Sequence, residues 1–508
     1  MKKIFTLVSI ASLALSASAV DYTEGLLLLN EGSWGSTPGM LNFIDLEGNV
    51  SYKVYQAENE GYCLGHTSDY AQAFGDYVFV CSKQDFALEN RTGYRLVVMD
   101  AHTLKFVAQI SDLNGKDGRS VCGVNSTKAY VGTSGGVYVL DLSTFTLGTS
   151  NIVNSDAQIG DMIRYGHQVF VAQDGVGVVV INTNDDSVAG TIELPNIVGL
   201  TVTADGTLYA ACEDAEAEFV AIDRESLVGT PVNIEGTHAM SAYSLWGAWH
   251  KPSLAADRDA NIVYYICQEG WTPTQVASYN FDNGEFKETF ITLPDNETYY
   301  GEAVSVDPAT GKILLAATEQ GWGAHYANNW IHCVDPSNPT ITEANTIALA
   351  TEYWFPSQFV YNHYSAPEVN LSPITVNVGD TEALDLAAAT TLAAGKKHLV
   401  VYDIALADSE VGASEAVAEI TDEGILGVSE GTTTLSVTAD FGGRCSTTTV
   451  AVTVVDPNGI SDVTVGGDAR VDVYTTTGVC VLRNATAEQI RALAPGLYIA
   501  GTRKIIIK

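Results

Sequence analysis

Residues 137–147 read VYVLDLSTFTL: an apolar run, an aspartate, a short polar turn and the start of another strand. The same phrase returns along the first 360 residues. It closes on Asp100 in RLVVMDAHTLKFV, on Asn182 in VGVVVINTNDDSVAG and on Asp223 in EFVAIDRESLVG, with looser copies closing on Asp45, Asn280 and Asp335. Successive anchors lie 55, 41, 41, 41, 57 and 55 residues apart. Three equal spacings flanked by longer ones describe one repeated unit with insertions in some copies. A repeat of roughly 40 residues built from short strands is the signature of a β-propeller, in which each unit is one four-stranded blade.

Parsed this way, the copies fall at roughly 23–55, 69–110, 119–150, 160–193, 198–234, 252–292 and 300–349, which makes seven. Copy seven shows the plan most plainly. It has a strand at 303–307, the turn DPATGK, a strand at 313–318, the loop GWGAHYANN, a strand at 330–335 and a last strand within 340–349. Pro and Gly mark the turns, and the buried strands lose strict alternation because both faces pack against neighbouring sheets. Copy one lacks an innermost strand of its own. SQFVY, residues 357–361, has the character to supply it by pairing against residues 25–30, which would close the ring and remove exposed edges.

The bulk numbers narrow the class of partner. The chain has 508 residues and a formal net charge of −36, so its surface repels phosphate backbones and nucleic acid is a poor partner. It opens MKKIFTLVSIASLALSASA. Lys2 and Lys3 precede an apolar stretch, 4–15, and a small-residue cleavage site at Ala17-Ser18-Ala19, so residues 1–19 read as a secretory signal. No cysteine follows the apolar run, so the lipoprotein form of the signal is not expected. No other stretch reaches the ~18 apolar residues of a membrane-spanning helix. The expected location is outside the cell or on its surface. Of the eight cysteines, Cys81, Cys212 and Cys267 recur at equivalent strand ends and read as small core residues, too far apart to pair with one another. A bridge from Cys63 to Cys81 or Cys122 is the pairing to test.

After residue 366 the text changes. Aromatics almost vanish, and residues 367–456 alternate in Ala, Thr and Val. Residues 418–420, 424–426 and 431–439 resemble the group 2 bacterial immunoglobulin-like domain, which implies a β-sandwich spacer. Residues 457–508 hold RVDVYTTTGVCVL and ALAPGLYIAGTRKIIIK, and resemble the C-terminal sorting tail of exported Bacteroidetes proteins. That likeness implies a small β domain and passage by the type IX route. The expected organisation is thus a signal at 1–19, a seven-bladed propeller at 20–366, an Ig-like domain at 367–456 and a sorting domain at 457–508, all β.

The tryptophans locate the candidate site. In a four-stranded blade A to D, the B–C loops and the D–A links open on one face. Trp34, Trp271, Trp322 and Trp330 fall on B–C loops or their borders, and Trp246, Trp249 and Trp354 on D–A links, so all seven share one face. Large loops need aromatic mini-cores of their own, and SLWGAWHKP suits that use. Complete segregation to one rim nevertheless points to a binding surface. NEGSW (30–34), QEGW (268–271) and EQGW (319–322) occupy the same place in copies one, six and seven, which are neighbours round the ring. Other copies carry KQD, SGG, QDG or ED there. Glycine permits the turn, the acid or amide offers polar contact and tryptophan offers a flat plate. The candidate ligand-binding residues are Glu31, Trp34, His66, Trp246, Trp249, His250, Glu269, Trp271, Gln320, Trp322, His325, Tyr326 and Trp354, with Tyr299, Tyr300 and Tyr353 completing the cleft.

Catalytic and metal motifs are missing from the sequence. It has no phosphate loop, no G-x-S-x-G, no H-E-x-x-H, no paired C-x-x-C and no sialidase-type Asp-box. The nine histidines are scattered; His238 and His250 would face a lyase site if there were one. LLLLNEGSWGSTPGMLNFID, residues 26–45, resembles the YncE-like surface propellers of Bacteroidetes, whose relatives include the BtuG-type cobalamin-binding propellers. That resemblance covers about residues 22–365. It implies seven blades and a face that captures a nutrient for a TonB-dependent outer-membrane transporter. The expectation is a non-enzymatic, monomeric binding protein for a corrinoid or other tetrapyrrole, with no resident cofactor or metal. A glycan- or peptide-binding propeller is the alternative, and a propeller-type lyase or hydrolase the third reading.

Overall fold

The computed structural model describes residues 20–507 except 89, 154–155, 214–218, 233, 235–250, 267–271, 353, 364, 394, 408–415, 457–469 and 502. The chain divides into two compact units. One comprises the residues up to 369 with 390–402 and 438–446; the other comprises 370–389, 403–437 and 447–508.

The first unit carries seven four-stranded antiparallel sheets among its described residues. Blade two runs His66–Phe74, Tyr77–Gln84, Leu96–Asp100 and Phe106–Ile110. Blade four runs Ile159–Tyr165, Gln168–Gln173, Gly177–Asn182 and Ser187–Glu193. Blade seven runs Glu297–Val306, Ile313–Glu319, Asn329–Val334 and Thr346–Ala348. Its first strand begins six residues earlier than the sequence suggests, because a register shift between Tyr299 and Val304 lets the strand continue past an irregularity. The innermost strand of each blade lies against that of the next all the way round, so the ring is closed.

Closure comes from the two ends of the repeat region. Pro356–Tyr361 pairs antiparallel with Gly25–Asn30, from Leu26 opposite Tyr361 to Asn30 opposite Pro356. Blade one is completed by Met40–Asp45 and Val50–Ser51. Asn362 fastens the seam by donating to the carbonyls of Tyr22 and Ala101 at 3.3 and 2.8 Å.

The repeated aspartate explains itself on the opposite face from the tryptophans. At each C–D turn the anchor side chain accepts from backbone N–H groups two or three residues ahead. Asp141 takes Ser143 at 2.7 Å, Asp223 takes Ser226 at 2.8 Å and Asp335 takes Ser337 at 2.8 Å. Four residues after the anchor the chain turns into the left-handed region at Leu104, Phe145, Asp186, Leu227 and Gly284. This is a tight turn with a bulge, held by Asx hydrogen bonds. The phrase that marks the repeat is therefore a turn signal.

The cores lie between blades. Phe79, Leu96 and Val98 of blade two meet Val121, Val131 and Leu140 of the next. Phe170, Val178 and Val180 of blade four meet Leu200, Leu208 and Val220. Each fully buried aliphatic side chain contributes about 1.5–3 kcal/mol, so neighbouring blades hold one another. Cys81, Cys122 and Cys212 are buried in these layers. Cys63, Cys81 and Cys122 are all free thiols, so the expected bridge is not formed; burial pushes Cys81 and Cys122 up to about 12. Cys267 lies outside the described residues.

The second unit is also β. Ile374–Asn377 pairs in parallel with the end of Arg444–Val455, from Ile374 opposite Val452 to Asn377 opposite Val455. Thr381–Glu382, Gly424–Gly427 and Ala418–Thr421 form a three-stranded sheet. Val376, Ile425, Leu435, Val437, Val452 and Val454 are buried. A last sheet joins Val471–Thr475, Cys480–Ala485, Gly496–Ala500 and Arg503–Ile507 over Val473, Ile490 and Ile505. Its short helix Ala487–Arg491 starts with a capping box between Thr486 and Gln489.

Candidate functional site

Three segments meet on one face at the seam between blades seven and one: residues 31–39, residues 320–328, and residues 349–352 with 354–355. The Glu31 N–H donates to the Phe355 carbonyl at 2.8 Å, and that of Glu352 to the Ala327 carbonyl at 3.0 Å. The site is thus built where the chain ends join.

The first loop is a tight hairpin. Ser33 and Thr37 exchange backbone hydrogen bonds at 3.0 and 2.9 Å. Gly32 stands at φ 79°, and a Cβ there would lie 2.4 Å from the Pro38 carbonyl oxygen, so only glycine fits. The hairpin holds Trp34 out at 63% exposure. The indole lies 5.5 Å from the His66 ring, which in turn lies 4.6 Å from Phe86. The Gly35 N–H donates to His66 Nδ1 at 3.4 Å, and burial lowers the pKa of the imidazole. Phe86 belongs to a small sheet on the same face, Tyr62–Leu64, Arg91–Tyr94 and Phe86–Leu88.

The second loop is held from below. Gln320 donates its backbone N–H to the Asn296 carbonyl at 2.7 Å and its side-chain Nε2 to the Glu297 carbonyl at 2.8 Å. Its amide nitrogen is therefore engaged in positioning the loop. Gly321 stands at φ 126°, where a Cβ would strike the His325 ring. A short 3₁₀ turn, Gly323–Ala327, follows and leaves Trp322 67% exposed. His325 Nδ1 lies 3.1 Å from Glu319 Oε2, which also accepts from Asn328 Nδ2 at 2.6 Å. The Asn328 hydrogen bond, then that of His325, lowers the Glu319 pKa.

Phe355 is the centre of the wall. It stands at φ 46°, a conformation rare for an aromatic residue. Its ring stacks on Tyr300 at 4.4 Å and 23° and meets Tyr326 at 4.7 Å; Tyr326 lies 6.2 Å from Trp322, edge to face. The Tyr300 hydroxyl donates to Glu31 Oε2 at 2.5 Å. Four aromatic rings thus form a continuous run from a nearly buried carboxylate to an exposed indole.

The structure brings together Glu31, Gln320, Trp322, His325 and Tyr326 on this wall, and Trp34 with His66 beside it. It removes Trp354. That indole is 1% exposed, donates to the Ala350 carbonyl at 2.6 Å, stacks on Tyr52 at 5.3 Å and packs among Leu28, Met40, Ile331 and Phe359. Its link turns it inward, into the core between blades seven and one, and its neighbour Phe355 faces the wall instead. Tyr299 is likewise buried, with burial raising its pKa. Trp246, Trp249, His250, Glu269 and Trp271, with His238 and Tyr353, lie outside the described residues. Phe355 and Phe86 escape the sequence reading because neither belongs to the N/Q-E-G-W pattern; the insertion at 85–95 within a long spacing is the signal for Phe86. Among the described residues no group of three or more His, Cys, Asp or Glu is placed to hold a metal ion, and no helix is long and apolar enough to cross a membrane.

No curated protein matches the sequence. A solved Quinonprotein alcohol dehydrogenase-like protein from Bacteroides thetaiotaomicron is similar with a TM-score of 0.52 at 16% identity, over 68% of this chain and 79% of that one. The extracellular domain of a hybrid two-component system from the same organism gives 0.41 at 11% identity, over 86% and 58%. The β-propeller domain of Cps50 (Swd1) from Myceliophteria thermophila gives 0.40 at 10%, over 60% and 93%. At 16% identity the first of these shows the propeller fold alone. The family described as "Domain of unknown function (DUF5074)" matches residues 24–362, from just before the first strand to just past the closing strand, and the chain belongs to that family.

Proposed function

We propose that this protein is an exported, non-enzymatic propeller that captures a ring-bearing nutrient on the aromatic face at the seam of blades seven and one. The observation that carries the reading is the run Tyr300, Phe355, Tyr326 and Trp322, with Trp34 exposed on the adjoining blade. Exposed indoles cost solubility unless a partner covers them, and flat plates bordered by polar groups suit a flat or cyclic ligand. A corrinoid or other tetrapyrrole is the first ligand class, delivered to a TonB-dependent outer-membrane transporter. A glycan stacked on the same plates is the competing one. The leader at 1–19 and the tail at 457–508 support export and surface display, with residues 367–456 as an Ig-like spacer. The acidic charge argues against nucleic acid, and a monomer suffices because one chain closes the ring.

The test is equilibrium binding of cobalamin, haem and neutral oligosaccharides to the chain from residue 20, with Trp322→Ala and Trp34→Ala alongside. Saturable binding by one class, weakened in both variants, supports the reading. Binding that neither variant weakens would move the site elsewhere.

A further inference from the structure

The polar groups of the wall narrow the ligand further. Glu31 is 8% exposed, and its backbone is fixed by the Phe355 carbonyl. Oε2 is occupied by the Tyr300 hydroxyl at 2.5 Å. Oε1 accepts no hydrogen bond from the described residues, yet it is not a sealed atom. A half-satisfied carboxylate at the foot of an aromatic wall is an acceptor waiting for a donor.

The surroundings repeat the preference. Tyr300 has given its only proton to Glu31, so it offers no donor to a ligand. Glu319 is a second carboxylate on the same loop system, held charged by Asn328 and His325. Lys53, the cation on the neighbouring link, is ion-paired with Glu352 and lies over the Trp354 ring. The whole chain carries −36.

Resting on the reading of this face as a binding site, we infer that it takes an uncharged ring ligand that donates hydrogen bonds through hydroxyl or amide groups. Glu31 Oε1 is the acceptor that sets this specificity. Ring ligands bearing carboxylates are turned away by the like charge of Glu31 and Glu319. An amide-bearing corrin and a neutral pyranose chain both have the required chemistry; haem, with its propionates, does not.

The experiment titrates the chain from residue 20, wild type and Glu31→Gln, with dicyanocobinamide, which is neutral, maltohexaose and haem. Gln can still accept from Tyr300, so the variant should fold, and a melting curve checks this. The wild type is expected to bind one neutral probe at least tenfold more tightly than haem, and which probe binds distinguishes the two sources. Glu31→Gln should weaken the neutral ligand about tenfold and strengthen haem. Tyr300→Phe keeps the carboxylate, frees Oε2 and should preserve or widen the preference. Haem binding as tight as the neutral probes in wild type, or a ratio unmoved by Glu31→Gln, would overturn the inference and leave the binding face standing. Binding by none of the three would overturn the binding face, and this inference with it.

Discussion

Blade four and blade seven follow one plan and differ most in what their B–C ends present. Both have four antiparallel strands and a C–D turn anchored by Asn182 or Asp335. Between their second and third strands, blade four spends three residues, 174–176, and blade seven spends nine, 320–328. The short turn carries Asp174 and Gly175 into solvent; the long one carries Trp322, His325 and Tyr326. The C–D end keeps its Asx anchor in both blades even though blade seven is longer there, 335–345 against 183–186, while the B–C end changes what it presents. Scaffold and site are thus separable, and substitutions should separate them.

The largest effect belongs to the scaffold. Phe170 in blade four is fully buried, and Phe170→Ala should cost about 3–5 kcal/mol of stability by leaving a cavity between blades. Denaturant unfolding should show a lower midpoint, while ligand affinity of the folded fraction stays unchanged. Trp354→Ala should behave in the same way, although it sits in the site's own segment. A loss of affinity without loss of stability in Trp354→Ala would return that indole to the rim.

Trp322→Ala should do the reverse. At 67% exposure it contributes little to the core, so stability should stay within about 0.5 kcal/mol of wild type. Ligand binding, measured by calorimetry, should weaken by about 2 kcal/mol if the indole is a central plate. Equal losses of stability and affinity would mean that the two ends of blade seven are not independent.

What is legible in the sequence follows the same division. The anchors at Asp100, Asp141, Asn182 and Asp223 reveal the blade count because each turn needs an Asx acceptor, a local requirement visible in local sequence. The closing strand is legible because copy one lacks a partner for residues 25–30. The wall is legible only in part. Loop residues face outward or inward according to a few dihedrals, and nothing in the pair Trp354-Phe355 says which ring turns in. The left-handed φ of Phe355 decides it, and that angle is set by Glu31 and Tyr300, which come from distant parts of the chain. The Cys63 bridge is not formed: Cys63 lies on the small outer strand Tyr62–Leu64, and Cys81 and Cys122 are buried in two different core layers.

Two glycines draw the same contrast at smaller scale. Gly175 and Gly32 both have positive φ at the same end of their blades, 66° and 79°. A Cβ at Gly175 meets nothing within 4 Å, so Gly175→Ala should cost only the conformational strain, about 1 kcal/mol. At Gly32 it would meet Pro38 O at 2.4 Å and Thr37 O at 2.6 Å, both backbone. Gly32→Ala should therefore open the hairpin, release Trp34 from His66 and reduce ligand affinity, readable as changed indole fluorescence. Equal, small effects at both positions would show that the Trp34 hairpin is not held in its described shape.

The smallest effect concerns the seam itself. Blade four is continuous in sequence, whereas blade one borrows Pro356–Tyr361 and needs fastening. His363 supplies part of it: Nδ1 lies 3.0 Å from the Gly25 carbonyl oxygen and Nε2 lies 3.4 Å from Asp307 Oδ1. Both partners are acceptors, so the imidazolium, with two N–H donors, suits the place best. The Asp307 hydrogen bond raises the His363 pKa against the opposing effect of burial. Burial acts against the ionised Asp307 carboxyl, yet the His363 hydrogen bond and its other donors hold it at about 2. A raised histidine pKa stabilises the fold below the unfolded value, ordinarily about 6.5, and that stabilisation is lost as pH rises through the folded value. The Asp307 contribution is present above the ordinary carboxylate range and is lost only as pH falls through about 2. Melting temperatures of wild type and His363→Gln should therefore differ most below the ordinary imidazole value of about 6.5 and converge as pH rises through the raised folded value. A difference that is constant across that range would mean that His363 fastens the seam by packing alone.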